Sequence, residues 1–415
     1  MTSSEEPRRF WLAGRIVTDG NTIEAGAVAV EGDRIAFVGL ADEFAGRDDF
    51  GAFERLPVPD RAMLVPGLVD LHCHGAAGVD FPTAGPEDIA RAVGFLHASG
   101  TTTLLASLVT AERSDMVAAA GNLAYFAERG ELAGIHSEGP FLSSARCGAQ
   151  DPAFLGEPDP DFVDSLVEAA RGQLRTMTYA PELAGADALV EQLASHGVVP
   201  SVGHTDADAA TAGASLRLAA EELGSAGFDG YTEKPTVTHL FNGMPAMHHR
   251  SPGPVAACLE AAAGRRAIVE LIGDGTHLDP HTVATVFALV GAEQIALVTD
   301  SMAAAGLGDG DYVLGPAKVH VVDGEARLPD GSLAGGTATM LDVVRSAVEA
   351  GVPLADALRS ATSVPAAVLG LPDEVGSLHL GFRADVLVLD AGMNLSAVYR
   401  GGELLRPAPT GGPPA

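Results

Sequence analysis

The sequence predicts an α/β fold: a TIM-type (β/α)8 barrel with a small β-sandwich domain formed by both ends of the chain. In the middle of the chain, short runs of Val, Ile, Leu and Thr alternate with helical stretches rich in Ala, Glu and Leu. Both ends instead carry short apolar runs separated by turn residues. At 415 residues the chain also exceeds what one hydrophobic core usually supports. We therefore expect residues 63–370 to form the barrel and residues 1–62 with 371–415 to form the small domain.

Eight candidate barrel strands follow one another at regular intervals. They are Leu64 to Leu71, Thr101 to Leu108, Leu132 to His136, Arg175 to Ala180, Val198 to Gly203, Thr236 to Leu240, Ala267 to Ile272 and Ile295 to Thr299. Helical candidates between them include Pro86 to Ala98, Ala111 to Arg129, Ala186 to His196, Ala207 to Leu223 and Pro280 to Val290. This order of strand and then helix is typical of a (β/α)8 barrel.

Four further segments complete the organisation of the chain. Phe10 to Gly39 and Gly376 to Asp390 have the pattern of antiparallel strands that could pair across the two ends. Asp309 to Gly331 predicts a strand-rich insertion after the eighth barrel strand. The Pro/Gly tail Pro407 to Ala415 predicts disorder.

Composition excludes several classes of protein. No apolar stretch reaches the roughly 18 residues of a membrane span, and Met1 to Arg9 is polar, so we expect a cytoplasmic protein without membrane contact. The formal charge of −30 disfavours nucleic acid as a partner. Cys73, Cys147 and Cys258 are odd in number and widely spaced, which favours reduced thiols. Cys147 lies beside candidate site residues, so either a redox role or an incidental thiol remains open.

The first candidate strand ends in two histidines one residue apart. In a strand alternate side chains point to the same face, so His72 and His74 point together, as two ligands of one metal ion must. Taken alone, the pair is equally compatible with ordinary polar residues at a strand end.

Other candidate strands end in residues of the same chemical type. Barrel enzymes place their catalytic groups at the carboxyl ends of the strands. The strand-end residues are His72, His74, Glu138, His204, His239 and Asp300. These nitrogen and oxygen donors suit zinc or iron, and Glu138 is placed to bridge two ions. His136 is two residues before Glu138 and could share its face.

Several motifs resemble a known family in order and spacing. They are Ser137-Glu138-Gly139-Pro140-Phe141, Gly203-His204-Thr205, Thr238-His239-Leu240-Phe241-Asn242, Asp274-Gly275-Thr276-His277 and Leu333-Ala334-Gly335. With the strand-end residues, this pattern resembles the amidohydrolase superfamily and, within it, the N-acetylglucosamine-6-phosphate deacetylase family. The resemblance covers nearly the whole chain.

The resemblance implies a role for each strand-end residue. Glu138, His204 and His239 match the family's principal metal ligands, and His72, His74 and Asp300 would complete a second site. Asp300 also matches the catalytic acid/base, although it could be a ligand only. We expect a divalent cofactor, zinc or iron, with two ions in each subunit.

The resemblance also implies a set of substrate contacts: Ala149, Gln150, Asn242, Gly243, Arg250, Asp274, His277, Leu333, Ala334 and Gly335. Arg250 matches the arginine that pairs with the sugar phosphate, and a surface arginine is the alternative. Gln150 stands where histidine is the commoner residue, so it can donate a hydrogen bond but cannot carry charge. Gly243 replaces a usual alanine. The family also implies a homodimer.

Three functions are compatible with these residues. The first is metal-dependent hydrolysis of N-acetylglucosamine 6-phosphate to glucosamine 6-phosphate and acetate. The second keeps the fold and metals but acts on another N-acetyl sugar or a cyclic amide. The third is a binding protein without catalysis, which would have no chemical need for all six ligand-type residues.

Overall fold

The computed structural model describes residues 7–227 and 233–405. The predicted disordered tail, Pro407 to Ala415, lies outside the described residues. Within these ranges, no helix combines the length and the apolar character needed to cross a membrane.

The strands are numbered along the chain. They are β1 (Arg9–Thr18), β2 (Asn21–Glu31), β3 (Arg34–Leu40), β4 (Glu54–Arg55), β5 (Met63–Pro66), β6 (Leu68–Asp70), β7 (Gly75–Ala76), β8 (Val79–Asp80), β9 (Thr101–Leu108), β10 (Gly134–Glu138), β11 (Leu174–Tyr179), β12 (Val199–Val202), β13 (Thr236–Val237), β14 (Ile268–Leu271), β15 (Ile295–Leu297), β16 (Gly310–Leu314), β17 (Ala317–Val322), β18 (Glu325–Arg327), β19 (Val386–Leu389), β20 (Leu395–Arg400) and β21 (Glu403–Leu405).

The α-helices are α1 (Ala41–Ala45), α2 (Pro86–Ala98), α3 (Arg113–Glu128), α4 (Pro160–Ala169), α5 (Ala186–Ser195), α6 (Ala209–Ala226), α7 (Gly253–Ala263), α8 (Pro280–Val290), α9 (Met340–Glu349), α10 (Leu354–Ser360) and α11 (Ser363–Val368). Short 3-10 turns lie at Phe50–Ala52, Ser144–Arg146, Pro152–Phe154 and Ala292–Gln294. The predicted helices Pro86 to Ala98 and Pro280 to Val290 have the observed bounds of α2 and α8. Both begin with proline, whose missing N–H costs nothing in the first turn of a helix.

The barrel prediction is confirmed. Eight parallel strands pair in the order β6-β9-β10-β11-β12-β13-β14-β15, and each of the eight candidate segments contains or overlaps one of them. Just past the first and last strands the ring closes, because the backbone N–H of Asp300 donates to the carbonyl of His72 at 2.9 Å and Cys73 bridges Ser301 in parallel. Closure brings the carboxyl ends of all eight strands to one rim.

The first candidate strand, Leu64 to Leu71, is two strands instead of one. Met63–Pro66 (β5) joins the terminal sheet, pairing with β1 and β19, whereas Leu68–Asp70 (β6) begins the barrel. Both halves are fully buried, so the apolar run shows no boundary. The break falls at Gly67, where an added Cβ would lie 2.0 Å from Oγ1 of Thr102.

The small domain forms from both ends of the chain, as predicted. Its sheet has the order β21-β20-β19-β5-β1-β2-β3, with β4 added beside β1. The rings of Phe10 on β1 and Tyr399 on β20 lie 5.0 Å apart, centroid to centroid. Because β1 and β20 are three strands apart and neighbouring strands are spaced by about 4.8 Å, the sheet curls back around its own core. The domain boundaries at residues 62/63 and 370/371 stay a prediction. The strand β5, which that division assigns to the barrel, pairs with the terminal sheet.

The insertion after the eighth barrel strand is a three-stranded antiparallel sheet, β16-β17-β18, in agreement with the prediction for Asp309 to Gly331. Val319 and Val321 pack with Met302 from the barrel rim. The backbone N–H of Gly315 donates to Oδ1 of buried Asp80 at 2.9 Å. These contacts fix the insertion at the rim, where Leu314 reaches the cavity described below.

Candidate active site

Six polar side chains converge inside the barrel rim, and we call them the ligand cluster. The ligand cluster is His72, His74, Glu138, His204, His239 and Asp300, and all six are buried. They are the six residues singled out at the predicted strand ends. Parallel strands place them together although they are far apart in sequence.

Glu138 lies at the centre of the ligand cluster. Its Oε1 is 2.8 Å from Nε2 of His204 and 2.9 Å from Nε2 of His239. Its Oε2 is 3.3 Å from Nε2 of His74. The two oxygens therefore face different histidines, which is the arrangement that a bridging carboxylate requires.

Asp300 faces the histidine pair from the eighth strand. Its Oδ1 lies 3.3 Å from Nε2 of His72 and 3.2 Å from Nε2 of His74, and the two ring nitrogens are 2.9 Å apart. Two ligands of one tetrahedral zinc ion lie about 3.4 Å apart, given bonds of about 2.1 Å. The donor types and their spacing therefore fit a divalent cation.

Potential ligand atoms form two groups whose members all lie within 4.8 Å of one another. One group is His72, Glu138 and His239, and the other is His72, His74 and Asp300. Both groups share His72. The two groups therefore overlap and together contain five residues, with His204 in neither.

The backbone holds three ligand residues in a strained conformation. The φ angles of His204, His239 and Asp300 are 46°, 31° and 47°, in the left-handed region that costs side-chain-bearing residues free energy. Each residue follows the end of its strand, so the turn aims the side chain inward. Gly335 packs against the turn at Asp300, because an added Cβ would lie 2.7 Å from the carbonyl oxygen of that residue.

The carboxylates and imidazoles of the ligand cluster lie close enough to shift one another's pKa. Burial, the largest influence, raises the pKa of Glu138, but the imidazoles of His204 and His72 outweigh it and hold that pKa well below its usual value. Burial alone would lower the pKa of His74, yet its contacts with Asp300 and Glu138 raise it to about 9. Without a cation, protons on His72, His74 and His204 offset the negative charge of the carboxylates. A divalent cation would displace those protons, so metal binding should release protons.

Contacts outside the cluster orient two ligands. Nδ1 of His204 lies 2.7 Å from the carbonyl of Arg146, which leaves Nε2 for Glu138 or a metal. Gln150 donates from Nε2 to Oε2 of Glu138 at 2.5 Å, while its Oε1 accepts the backbone N–H of Thr110 at 2.7 Å. Gln150 was expected to contact the substrate, and in the structure it contacts Glu138.

A cavity of about 180 Å³ opens above the ligand cluster. Several predicted substrate residues line it: Ala149, Gln150, Asn242, Gly243, His277, Leu333 and Ala334. Leu314 from the insertion completes the wall. The insertion was predicted as a segment, but its contribution to the cavity was not.

Predicted contacts Asp274, Gly335 and Arg250 do not line the cavity. Asp274 instead contacts His277, since its Oδ2 lies 2.8 Å from Nδ1 of that ring. The opposite nitrogen of His277 is buried and has no hydrogen-bond partner within the described structure. This nitrogen is therefore available to a ligand in the cavity.

Arg250 lies in an exposed turn outside the cavity of its own chain. The turn is closed by a bridge between His248 and Ser251, and its histidine rings, His248 and His249, are 4.2 Å apart. Arg250 therefore does not line the cavity of its own chain, and its contact with a phosphate stays a prediction.

His136 is not a ligand, although its position left that open. Its Nδ1 lies 2.9 Å from Oγ of Ser107 and its Nε2 lies 2.8 Å from Oγ1 of Thr178, so hydroxyl groups satisfy both nitrogens. Sequence reasoning missed Glu270, which is buried beside His72. The available signal was a single acidic residue inside the apolar run Ala267 to Ile272.

The fold and the site together define a metal-dependent hydrolase of the amidohydrolase type. The sequence model of the amidohydrolase family matches residues 63–405 of this chain. That match includes the barrel and all six residues of the ligand cluster.

Similar proteins narrow the class. The chain is 33% identical over 362 residues to N-acetylgalactosamine-6-phosphate deacetylase of Escherichia coli O157:H7, covering 85% of this chain and 91% of the relative. It is 31% identical over 384 residues to N-acetylglucosamine-6-phosphate deacetylase of Bacillus subtilis, covering 91% of each.

A solved structure agrees over almost the whole length. It is the D267A mutant of the Mycobacterium smegmatis N-acetyl-D-glucosamine-6-phosphate deacetylase in complex with N-acetyl-D-glucosamine 6-phosphate. That structure superposes with a TM-score of 0.85 at 38% identity, over 96% of this chain and 99% of the other. The chain belongs to the N-acetylglucosamine-6-phosphate deacetylase family of the amidohydrolase superfamily, which confirms the resemblance found in its motifs.

Removal of metal should lower the melting temperature. An ion held at 100 times its Kd stabilises the folded state by about 2.7 kcal/mol, so chelation should lower the melting temperature by several degrees and zinc should restore it. Differential scanning calorimetry measures the shift. An exposed control, His281→Ala, should respond like the parent, whereas Glu138→Ala should respond little. A parent protein with the same melting temperature before and after chelation would contradict the metal site.

Proposed function

We propose that this chain hydrolyses the acetamide of N-acetylglucosamine 6-phosphate to give glucosamine 6-phosphate and acetate. The observation that carries the proposal is the convergence of the ligand cluster, with Asp300 among it, beside one cavity. Family membership supplies the substrate class, since the relatives named above act on N-acetylated amino-sugar phosphates. A binding protein would have no chemical use for six buried ligand-type residues.

We further propose that two divalent ions, zinc or iron, occupy each subunit. Glu138, His204 and His239 would hold one, and His72, His74 and Asp300 would hold the other. A bound ion of this kind lowers the pKa of water to about 7 and so supplies hydroxide at neutral pH.

Asp300 is the residue that we propose as the acid/base. Burial, the largest influence, raises the pKa of Asp300, but the imidazoles of His72 and His74 outweigh it and keep that pKa below its usual value. The ionised carboxylate can take the proton of the attacking water and return it to the departing amine. His277 would contact the sugar through its unpartnered ring nitrogen, and Leu333 and Ala334 would lie along the ring.

Arg250 supports the proposal of a homodimer. A sugar phosphate carries about two negative charges at neutral pH, and the described residues that line the cavity include neither Arg nor Lys. Since Arg250 is exposed outside its own cavity, we propose that it pairs with the phosphate bound in the second subunit. For this small-molecule enzyme we also propose a cytoplasmic location, consistent with three free cysteines.

A second candidate substrate is N-acetylgalactosamine 6-phosphate. The relative from Escherichia coli that acts on it is 33% identical to this chain, compared with 31% for the Bacillus subtilis enzyme. The two sugars differ only in the configuration at carbon 4, so overall identity does not separate them.

Acetate release from a panel of sugars tests the reaction and the substrate together. The panel contains both N-acetyl amino sugars, each with and without the 6-phosphate. A cyclic amide, whose ring opening releases no acetate, is followed separately by loss of the intact amide. We expect the highest kcat/KM for N-acetylglucosamine 6-phosphate. A higher value for the galactose epimer would favour the second candidate, and acetate release from none of them would contradict the deacetylase proposal.

Asp300→Asn should abolish turnover while the metal stays bound. The amide keeps the shape of the side chain but cannot accept the proton, so we expect kcat to fall by roughly 10²- to 10⁴-fold. Metal content is measured on the same sample by mass spectrometry. Asp164→Asn, which alters an exposed aspartate beside His196, is the matched control and should keep full activity. An active Asp300→Asn variant would remove Asp300 from the acid/base role.

Arg250→Ala should weaken the use of phosphorylated substrate selectively. A hydrogen bond to a charged group contributes about 1.5–3 kcal/mol, so kcat/KM for the phosphosugar should fall roughly ten- to hundredfold through a higher KM. The unphosphorylated sugar should be affected little. Arg91→Ala, which removes an exposed arginine paired with Asp88, is the control.

Mixed dimers test the subunit origin of that arginine. Subunits carrying Arg250→Ala and subunits carrying Asp300→Asn should recover activity when combined, since one cavity then has both functional residues. Equal losses for phosphorylated and free sugars, or mixed dimers without recovery, would contradict the role proposed for Arg250.

A further inference from the structure

Glu270 is a buried acid that the proposed chemistry does not use. It lies on β14 between Val269 and Leu271, and only 3% of its surface is exposed. A carboxylate in an apolar strand is costly unless it has polar partners. The partners of Glu270 therefore indicate what it does.

Both polar contacts of this carboxylate are with ligand-cluster residues. Oε2 of Glu270 lies 3.5 Å from Nδ1 of His72. The same oxygen accepts the backbone N–H of His239 at 3.3 Å. Glu270 thus contacts one histidine through its ring and another through its strained backbone turn.

The contact with His72 is on the side of the ring away from the other ligands. Nε2 of His72 faces His74 and Asp300, whereas Nδ1 faces Glu270. Within the described structure Nδ1 is buried without a formed hydrogen bond, and at 3.5 Å the carboxylate is in electrostatic contact with it. The partner of one imidazole nitrogen decides which nitrogen keeps the proton.

We propose that Glu270 is a positioning residue for the second metal ion. It holds the proton of His72 on Nδ1 and so leaves the lone pair of Nε2 directed at His74 and Asp300. Its charge adds a third buried carboxylate, beside Glu138 and Asp300, which favours two divalent cations over one. It also steadies the turn that carries His239. This inference depends on the two-ion site proposed above.

Zinc binding by variants of the full chain tests the role. Glu270→Leu removes the charge and the hydrogen-bond acceptor, and we expect the affinity for one of the two ions to fall roughly 10- to 100-fold, the usual effect of losing an outer-shell partner. Glu270→Gln preserves the volume but removes the charge, and we expect a loss of about tenfold. Asp385→Asn is the matched control, because Asp385 is also a buried acid but contacts Arg383 and the backbone N–H of Gly401, outside the ligand cluster and the cavity; its zinc affinity should equal that of the parent.

Zinc per subunit is measured by mass spectrometry after equilibration with a competing chelator. The melting temperature of each metal-free protein is measured as well. A merely structural role would lower the metal-free melting temperature and leave zinc affinity unchanged. Parental affinity for both ions in Glu270→Gln would overturn the inference even if Glu270→Leu does not fold. If the parent binds two ions and the variants bind them equally well, only the role of Glu270 is refuted. If the parent binds only one ion, the two-ion site is refuted as well.

Discussion

The site depends on burying two carboxylates, those of Glu138 and Asp300, in the mouth of a closed barrel. An uncompensated buried charge costs several kcal/mol, so these side chains require positive partners within a few ångströms. His72, His74 and His204 provide them when protonated, and together with His239 they reach the same point because parallel strands end at a common rim. The same arrangement suits a divalent cation, which is a stronger and more localised partner than protonated imidazoles.

Another buried acid, Asp70, holds the backbone together just below the rim. Its Oδ1 accepts the backbone N–H groups of His72 at 3.2 Å and Thr299 at 3.3 Å, and its Oδ2 accepts the hydroxyl of Thr299 at 2.6 Å. Burial raises the pKa of Asp70 to about 6, despite these hydrogen bonds. Asp70 thereby joins the first and eighth strands just below the two strand ends that carry His72 and Asp300.

The sequence was sufficient to predict the ligand cluster and the eight barrel strands. The strands follow from the local alternation of strand and helix patterns. The ligand cluster follows because barrel enzymes place their catalytic groups at the carboxyl ends of the strands. It did not show the break at Gly67, since strands on both sides of that residue are buried and equally apolar. Nor could it show that Gln150 holds Glu138, or that Glu270 faces His72, because such contacts depend on which strands become neighbours. Arg250 matched a motif, yet a motif does not say whether its residue serves its own chain.

Electrostatics connects these points to the assembly of the protein. The chain carries a formal charge of −30, and its cavity contains Glu138 and Asp300 but, among the described residues, no lining Arg or Lys. The positive charge of the cavity's histidines is offset by these carboxylates, so the described lining residues leave little net positive charge for an anionic substrate. Two bound cations would reverse the charge at the reacting end, but a phosphate at the other end would still need a positive partner. The proposed pairing of Arg250 with the phosphate in a second copy would supply that partner, which links the charge of the cavity to the dimer proposed above.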